Sequence, residues 1–349
     1  MKPGTAFRKA GLILWGGLAT SLTVQAQEVL SPWPGMVPGQ EHPAAWALQE
    51  GTWAFGLQHA ARWSGSAEPW EDQWFCAGWN PARRETAWSG SGLADWAFGT
   101  AHTSVAVGDG WRTSRHALHA ATRVQLDRHW TGSAGIGIGA RTWLLDGRTW
   151  SWDAQYGPAG YDPTAPSGEP DGIVGGAGVQ PELSLGVGAE YRPGSVSAFR
   201  LRGAATLHHI LATASPGFLP TAGDTVKRSA SWWFECSDDL GGRRLEWRTW
   251  HRGAIQGPSH LVEFGSTIGR SFGTASRHTR NQLDHHLSIG VIWRSDGQFR
   301  LPLRWKHAEL EAWVGPGVDI GHASPAAQGW AVGLGWTPDF SEATPIGSR

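Results

Sequence analysis

The sequence is poor in several residue types, and each shortage excludes a class of protein. Only two of its 349 residues are cysteines, which excludes a small secreted domain built on disulfides. Charged residues make up only 17%, and 29 basic residues face 30 acidic ones, so the basic surface of a nucleic-acid-binding protein is missing. No apolar run reaches the roughly 18 residues of a membrane-spanning helix. We therefore expect no nucleic-acid partner and no helical membrane span.

Glycine and tryptophan are in excess, with 49 and 24 residues, whereas tyrosine contributes only 3. The hydrophobic content of 40% is too high for a disordered chain and too low for a bundle of membrane helices. Composition thus indicates a folded protein that is neither disordered nor a bundle of membrane helices. The pattern of residues along the chain is needed to identify its fold.

The first 26 residues have the pattern of a secretory signal peptide. Lys2, Arg8 and Lys9 supply a positive start, an apolar stretch follows over residues 10–19, and small residues stand at Val24 and Ala26. Cleavage is expected after Ala26. The two cysteines, Cys76 and Cys236, would then meet an oxidising compartment, and the sequence leaves open whether they form a disulfide.

Apolar and polar residues alternate with period two along most of the remaining chain, which is typical of half-buried strands. Over residues 52–58, for example, Trp53, Phe55 and Leu57 share one face. We predict fourteen strands on this basis. They cover 52–63, 73–79, 92–109, 114–126, 131–144, 182–191, 196–210, 229–237, 243–251, 259–270, 282–294, 297–306, 309–318 and 329–337.

These strands predict an all-β fold, a transmembrane outer-membrane β-barrel of about 14 antiparallel strands. Most segments approach the roughly 9–11 residues that a tilted strand needs to cross a bilayer, and their number is even. The two longest connections, 145–181 and 211–228, follow odd-numbered strands and fall on the same, extracellular side. The connection 271–281 is long for the periplasmic side. A secreted β-sandwich or a carbohydrate-binding protein with tryptophan platforms is the alternative.

The expected organisation has four parts. A signal peptide (1–26) precedes a periplasmic N-terminal segment (27–51), the barrel (52–340) and a C-terminal tail (341–349). The N-terminal segment is rich in proline and tryptophan. We expect it either to plug the lumen or to dock on a periplasmic partner.

The chain resembles the PorP/SprF family of outer-membrane proteins over nearly all of its mature length. That family has an Asn-Pro-Ala-Leu segment before its first strand, and residues 41–46 here read Glu-His-Pro-Ala-Ala-Trp. A long loop carries the most specific likeness, with Trp-Ser-Trp-Asp-Ala-Gln-Tyr at 150–156, Tyr-Asp-Pro at 161–163 and Ser-Gly-Glu at 167–169. The strand ending in His208 and His209 is also similar to one in the family.

The resemblance implies a non-enzymatic barrel of the type IX secretion system. Such a barrel would assist secretion or cell-surface attachment of proteins with type B C-terminal signals, such as gliding adhesins. Its partners would be those proteins, the translocon, periplasmic components of the machinery and outer-membrane lipid. The candidate docking residues lie in the long loop and the N-terminal segment: Trp150, Trp152, Asp153, Gln155, Tyr156, Tyr161, Asp162, Glu169, Trp33, His42, Pro43 and Trp46. A small-solute channel or porin is the alternative function, followed by a barrel hydrolase.

No cofactor is expected from any recognisable motif. Acidic residues in the 146–171 loop could hold Ca²⁺ through oxygen ligands, although their spacing does not fit an EF-hand, and a solvated loop or a docking loop explains them equally simply. Adjacent histidines at 208–209 and 285–286 should point to opposite faces of a strand, so neither pair is expected to chelate a metal. Asp284 with His285 is the candidate for hydrolase chemistry, but no nucleophile-elbow motif accompanies it.

Two features of the predicted lumen leave alternatives open. Seven arginines share the polar phase of their strands, and they predict either an anion-selective pore or an arginine–carboxylate network that fills the interior. They are Arg115, Arg123, Arg200, Arg202, Arg294, Arg300 and Arg304. Glycines repeat at Gly135, Gly137 and Gly139 and at Gly186 and Gly188 without a following helix, which favours strand coiling or close packing over a dinucleotide loop.

Overall fold

The computed structural model describes most of the chain between residues 38 and 337. Its described ranges are 38–49, 51–62, 70–80, 96–108, 110–146, 156–157, 160–162, 176–193, 199–211, 227–239, 245–272, 285–307, 309–319 and 328–337. The signal peptide, Trp33 and the C-terminal tail lie outside these ranges, so their predicted roles stay predictions. No helix within the described ranges is long and apolar enough to cross a membrane.

The described residues form one barrel of fourteen antiparallel strands, as predicted. In chain order they are β1 (Trp53–Arg62), β2 (Trp70–Trp79), β3 (Trp96–Val107), β4 (Trp111–Gln125), β5 (Trp130–Leu145), β6 (Gly176–Tyr191), β7 (Arg200–His208), β8 (Ser229–Asp239), β9 (Leu245–Gln256), β10 (Ser259–Phe272), β11 (His285–Arg294), β12 (Gln298–Arg300 continuing as Leu303–His307), β13 (Leu310–Asp319) and β14 (Gln328–Trp336). Each strand pairs with its neighbours in sequence, and β1 pairs with β14. The sheet therefore closes on itself and has no free edge.

Strand β12 is divided into two pieces around Leu301 and Pro302. Proline has no N–H to give to the ladder, so the pairing cannot run through it without a gap. The carbonyl of Pro302 still accepts from the N–H of Gly290, at 3.0 Å, and the N–H of Leu301 donates to the carbonyl of Pro316, at 3.1 Å. These two hydrogen bonds continue the pairing across the break, so both pieces count as one strand of the barrel.

The two faces of the wall are chemically opposite. On β1 the side chains of Ala54, Gln58 and Ala60 are buried inside, whereas Trp53 and Leu57 face outward and are 38% and 57% exposed. Most of the other strands show the same alternation, and the outward positions hold most of the exposed leucines, isoleucines and valines. An apolar outer surface and a closed backbone are the two requirements for a strand structure in hydrocarbon.

Aromatic side chains ring the end of the barrel at which β1 begins and β14 ends, here called the near rim. Trp53 stacks on Trp79 with ring centroids 6.0 Å apart, and Trp130 lies 4.9 Å from Tyr191. Tryptophan suits the bilayer interface because its ring is apolar while its N–H needs a polar partner. The near rim therefore marks one membrane boundary.

The opposite end is called the far rim. The two long connections, from Leu145 to Gly176 and from His208 to Ser229, both leave from it, in agreement with the prediction that they share one side. A short hairpin, Tyr156–Gly157 with Gly160–Tyr161, is described within the first of them. Outside the membrane span, the β4–β5 turn at the near rim is closed by Asp127, whose carboxylate accepts from the backbone N–H groups of His129 and Trp130 at 2.6 and 2.8 Å.

Leu57→Arg should destabilise the barrel by about 2–4 kcal/mol. Leu57 lies on β1 midway between Trp53 and Ala61, which pairs with Trp330, and therefore near the middle of the membrane. The control is Leu126→Arg, at an exposed site beside the near rim, where about 0–1 kcal/mol is expected. Urea-induced unfolding in lipid vesicles measures both changes. Equal losses for the two variants would show that the outer face does not contact lipid as described.

Asp127 should make a pH-dependent contribution to stability. Hydrogen bonds from the backbone N–H groups of His129 and Trp130 hold the pKa of Asp127 below its usual value of 3.8. Its contribution is therefore present above about pH 4 and is lost as the pH falls through the lowered pKa. Asp127→Asn should flatten the stability profile between pH 2 and 4, whereas Asp127→Ala should weaken the turn at every pH. Unfolding curves across this range test the idea, and unchanged acid sensitivity in Asp127→Asn contradicts it.

Candidate functional site

The lumen is occupied by the chain's own N-terminal segment. Residues 38–49, here called the lumen plug, form two short 3₁₀ helices, Pro38–Gln40 and Pro43–Leu48. They contact the inner faces of six consecutive strands, β2 to β7. A segment with buried contacts to so many strands lies within the barrel. The described part of 27–51 is therefore in the lumen and not in the periplasm, which agrees with the plug alternative.

Trp46 is the central side chain of the plug and is 1% exposed. Its indole N–H donates to Nδ1 of His119 on β4, at 2.8 Å. Its ring lies flat on backbone, since a Cβ added at Gly78 or Gly99 would fall 2.0 or 2.2 Å from a ring atom. The indole thus has both its apolar faces and its single donor satisfied inside the wall.

Glycines of three further strand positions receive the rest of the plug. A Cβ added at Gly135 would lie 2.6 Å from the backbone nitrogen of Ala44, and one added at Gly188 would lie 3.1 Å from a methyl group of Leu48. Gly186 is similarly close to Ala44. Close packing, one of the two explanations predicted for these glycines, is therefore correct, and the plug is among the groups that pack against these three. Gly137 and Gly139 meet neighbouring strands instead.

Polar side-chain contacts also fix the plug to β1, β7 and β9. Nδ1 of His42 lies 3.0 Å from the hydroxyl of Thr206 on β7, and a carboxylate oxygen of Glu41 accepts from Nη1 of Arg252 on β9, at 3.1 Å. The side-chain oxygen of Gln40 accepts from Gln58 on β1, at 3.4 Å. The segment is thus tied to strands on different sides of the lumen.

Asn80, just after β2, closes the end of the plug. Its side-chain amide donates to the backbone carbonyls of Trp46, Ala47 and Gln49, each at 3.4 Å. The carbonyl of Trp46 also accepts from the backbone N–H of Gln49, at 3.3 Å. Asn80 thus adds a side-chain donor at the end of the 3₁₀ helix, where carbonyls lack the donors of a further turn. Sequence reasoning did not single out Asn80, His119, Gly78 or Gly99. The sequence did offer one signal for this contact. A segment of proline, alanine and tryptophan precedes strands whose inward-facing positions include glycines.

The predicted docking residues of the N-terminal segment are used inside the molecule. His42 and Trp46 are 1% exposed, and Pro43 is buried as well. They contact the barrel wall rather than a surface open to another protein. This corrects the expectation that these three residues meet an external partner, because their polar and apolar groups are already taken up by the lumen.

The predicted docking residues of the long loop divide into two groups. Tyr156 pairs with Tyr161 across the short hairpin, and Asp162 follows it with an exposed side chain. Trp150, Trp152, Asp153, Gln155 and Glu169 lie outside the described residues. The docking role of this loop therefore stays a prediction. The calcium prediction also stays open, because most of the acidic residues of 146–171 are not described.

Within the described ranges, no group of three or more histidine, cysteine, aspartate or glutamate side chains is arranged to hold a metal ion. The prediction for the first histidine pair was wrong in one respect. His208 and His209 are both buried in the lumen, since β7 ends at His208 and His209 takes a positive φ of 53° that turns its side chain inward. His209 lies 3.4 Å from Glu182, and His208 lies 2.8 Å from Ser231. The pair joins a polar network.

His285, the hydrolase candidate, faces outward and stacks on His307 with ring centroids 4.3 Å apart. His285 is thus one of the aromatic residues that surround the near rim. Its proposed partner, Asp284, lies outside the described residues. The two cysteines are free, with Cys76 on the inner face of β2 and Cys236 on the outer face of β8. Two thiols on opposite faces of distant strands cannot form a disulfide unless the barrel unfolds.

The arginines of the lumen form a network with carboxylates. Arg202 donates to Glu235 at 2.9 Å, and Arg304 donates to Glu311 at 2.7 Å. Glu182 is shared by Arg115 at 2.5 Å and Arg141 at 2.9 Å. Paired charges that fill the interior favour the network over the anion-selective pore. Removing one member of such a pair costs about 3–5 kcal/mol, since the other charge stays buried.

Trp46→Ala should release the lumen plug and expose Cys76. The thiol of Cys76 is fully buried and donates to the side-chain oxygen of Gln40, at 3.5 Å. Removing a buried tryptophan costs about 3–5 kcal/mol, which exceeds what the remaining plug contacts are expected to replace. In a Cys236→Ser background, a water-soluble maleimide should then label Cys76 at least tenfold faster.

The matched control is Trp336→Ala, which removes a tryptophan from the outer face of the near rim. It should leave Cys76 unreactive. If Trp46→Ala also leaves Cys76 unreactive while the barrel stays folded, the plug does not depend on Trp46 and the present account of the site is wrong.

No protein-family model matches the chain, and no curated protein sequence matches it either. Solved structures match by shape alone. The toluene transporter TodX of Pseudomonas putida is 8% identical with a TM-score of 0.44, over 90% of this chain and 93% of that one. A FadL homologue from Pseudomonas aeruginosa is 9% identical with a TM-score of 0.44, over 88% and 95%, and the NanC porin is 7% identical with a TM-score of 0.39, over 81% and 100%. These likenesses concern the barrel architecture only. The chain itself is a fourteen-stranded β-barrel of the outer-membrane type whose lumen holds its own N-terminal segment.

Proposed function

We propose that the protein is a non-enzymatic component of the type IX secretion system that assists secretion or surface attachment of secreted proteins by docking them. The observation that carries the proposal is the lumen plug. Trp46 and its neighbours lie against the inner faces of β2 to β7, and buried arginines paired with carboxylates line the inner face of other strands. A barrel filled in this way acts through its rims and loops.

The resemblance of the long loop to the PorP/SprF family supplies the kind of partner. Its described part, the hairpin of Tyr156 and Tyr161, stands at the far rim and is followed by the exposed Asp162. Aromatic residues are among those most often responsible for binding energy at protein interfaces. We propose that this hairpin contacts the secreted protein, whose type B signal brings it to the translocon.

A small-solute channel is the competing function. It would require the plug to leave the lumen, and the buried bonds of Trp46, His42 and Glu41 oppose that movement. The two functions make different demands on the same molecule, because docking needs the far-rim loop while conduction needs an open interior. One set of variants can therefore separate them.

Tyr156→Ala with Tyr161→Ala should release the secreted client into the medium. Loss of one aromatic anchor costs about 2 kcal/mol, which is roughly thirtyfold in affinity. The matched control is Tyr191→Ala, which removes the third tyrosine from the near rim, where it contacts Trp130. Cell-bound and shed client are compared by immunoblot, after a gel-shift assay has verified that each barrel is folded.

Client retained on cells carrying the double variant contradicts the proposed docking surface. Single-channel recording decides the broader question. A steady open conductance of the wild-type barrel in planar bilayers, with secretion of all type B clients unchanged in a deletion strain, would overturn the secretion role in favour of a channel.

A further inference from the structure

Three arginines converge inside the lumen near the far rim, and together they are called the arginine cluster. Arg62 ends β1, Arg294 ends β11 and Arg300 lies in the first piece of β12. Arg300 pairs with Ile292, two residues before Arg294 on the neighbouring strand, and only Gly317 and Gly329 separate Arg300 from the end of β1. Arg294 and Arg300 are 2% and 5% exposed, so their charges are largely shielded from water.

The neighbouring carboxylates are already engaged. Asp72 accepts from Nη2 of Arg62 at 2.9 Å and from the indole N–H of Trp70 at 2.5 Å. Glu263, which lies opposite Arg294 on β10, accepts from both Nε and Nη2 of Arg252, at 2.8 and 2.9 Å. Asp72 is thus engaged within the cluster by Arg62, whereas both oxygens of Glu263 are engaged by Arg252.

Several guanidinium N–H groups of the cluster are buried without a hydrogen-bond partner. Nη2 of Arg294 donates to Asp296 at 2.9 Å, but its Nε and Nη1 have no acceptor, and neither does Nε of Arg62. Nη2 of Arg300 donates to the neutral side-chain oxygen of Gln298, at 3.2 Å. A buried donor that is left unpaired costs free energy, and charged donors cost the most.

The wall between Arg62 and Arg300 carries no side chains. Gly317 on β13 lies opposite Arg300 and opposite Gly329 on β14, and a Cβ added at Gly329 would lie 3.4 Å from Cα of Arg62. A Cβ added at Gly317 would lie 3.0 Å from Cγ of Arg300. Two glycines in a row therefore separate the two arginines along the inner wall, and Arg300 packs directly over one of them.

We propose that the arginine cluster is a binding site for an oxyanion, a carboxylate or a phosphate group. Oxygen acceptors of either group match the planar fork of a guanidinium and would satisfy the unpaired N–H groups of Arg62 and Arg294. The site opens toward the far rim beside Asp296 and Arg62, whose side chains are 24% and 11% exposed. The ligand would enter from the side of the long loops.

Calorimetric titration of the full-length barrel in a nonionic detergent tests the site, with inorganic phosphate and with sodium acetate as separate probes. Saturable binding of at least one probe is expected. Arg294→Gln should weaken it at least tenfold. The control is Arg202→Gln, since Arg202 is equally buried but its guanidinium is bonded to Glu235 on another side of the lumen.

Asp296→Asn provides a second variant with an effect of opposite sign. It removes the carboxylate that holds Nη2 of Arg294, so anion affinity should rise severalfold. A folding defect cannot produce opposite changes in the two variants. Tighter binding of phosphate assigns a phosphate group as the ligand, and tighter binding of acetate assigns a carboxylate. Absence of saturable binding of both probes, or unchanged binding in Arg294→Gln, overturns the proposal. The measurement involves no secreted client, so its outcome is independent of the docking function.

Discussion

The hydrogen-bonding requirement of a backbone in hydrocarbon is the constraint on which the rest of this molecule depends. Strands in a bilayer can satisfy their N–H and C=O groups only by pairing around a closed ring, and β1 and β14 complete that ring here. Closure has a second effect, because it separates the side chains of every strand into two populations with different surroundings. Lipid sets the chemistry of the outer population, and whatever fills the interior sets that of the inner one.

The interior is filled in two different ways. On β2, β3, β5 and β6 the wall presents glycines, and the lumen plug, with Trp46 at its centre, packs against them. Across β8 to β13 the wall itself supplies large side chains, with Trp233, Trp250 and Trp313 buried among paired arginines and carboxylates. The plug packs mainly against β2 to β7, and Arg252 on β9, which binds both Glu41 and Glu263, connects it to the other half of the wall.

Much of the barrel could be predicted because alternation is a local property, readable from a few adjacent residues. All fourteen predicted segments correspond to strands, and the largest error is at the start of β6, which begins at Gly176 rather than at residue 182. The stretch before Glu182 is rich in glycine and includes Pro181, so it has the composition of a loop. The plug was only one of two alternatives, since Trp46 meets Gly78, Gly99 and His119 across long sequence separations and glycine gives no signal of what covers it. His209 was misplaced because a positive φ in a histidine leaves no trace in the alternation.

The contact between Trp46 and the two glycines also restricts how the sequence can change over evolution. A side chain at Gly78 or Gly99 cannot coexist with the indole, because the added carbon would fall inside its ring. A smaller residue at position 46 would instead leave a void that larger residues on β2 and β3 could fill. These three positions are consequently coupled, and substitutions at them in divergent relatives should occur together rather than singly.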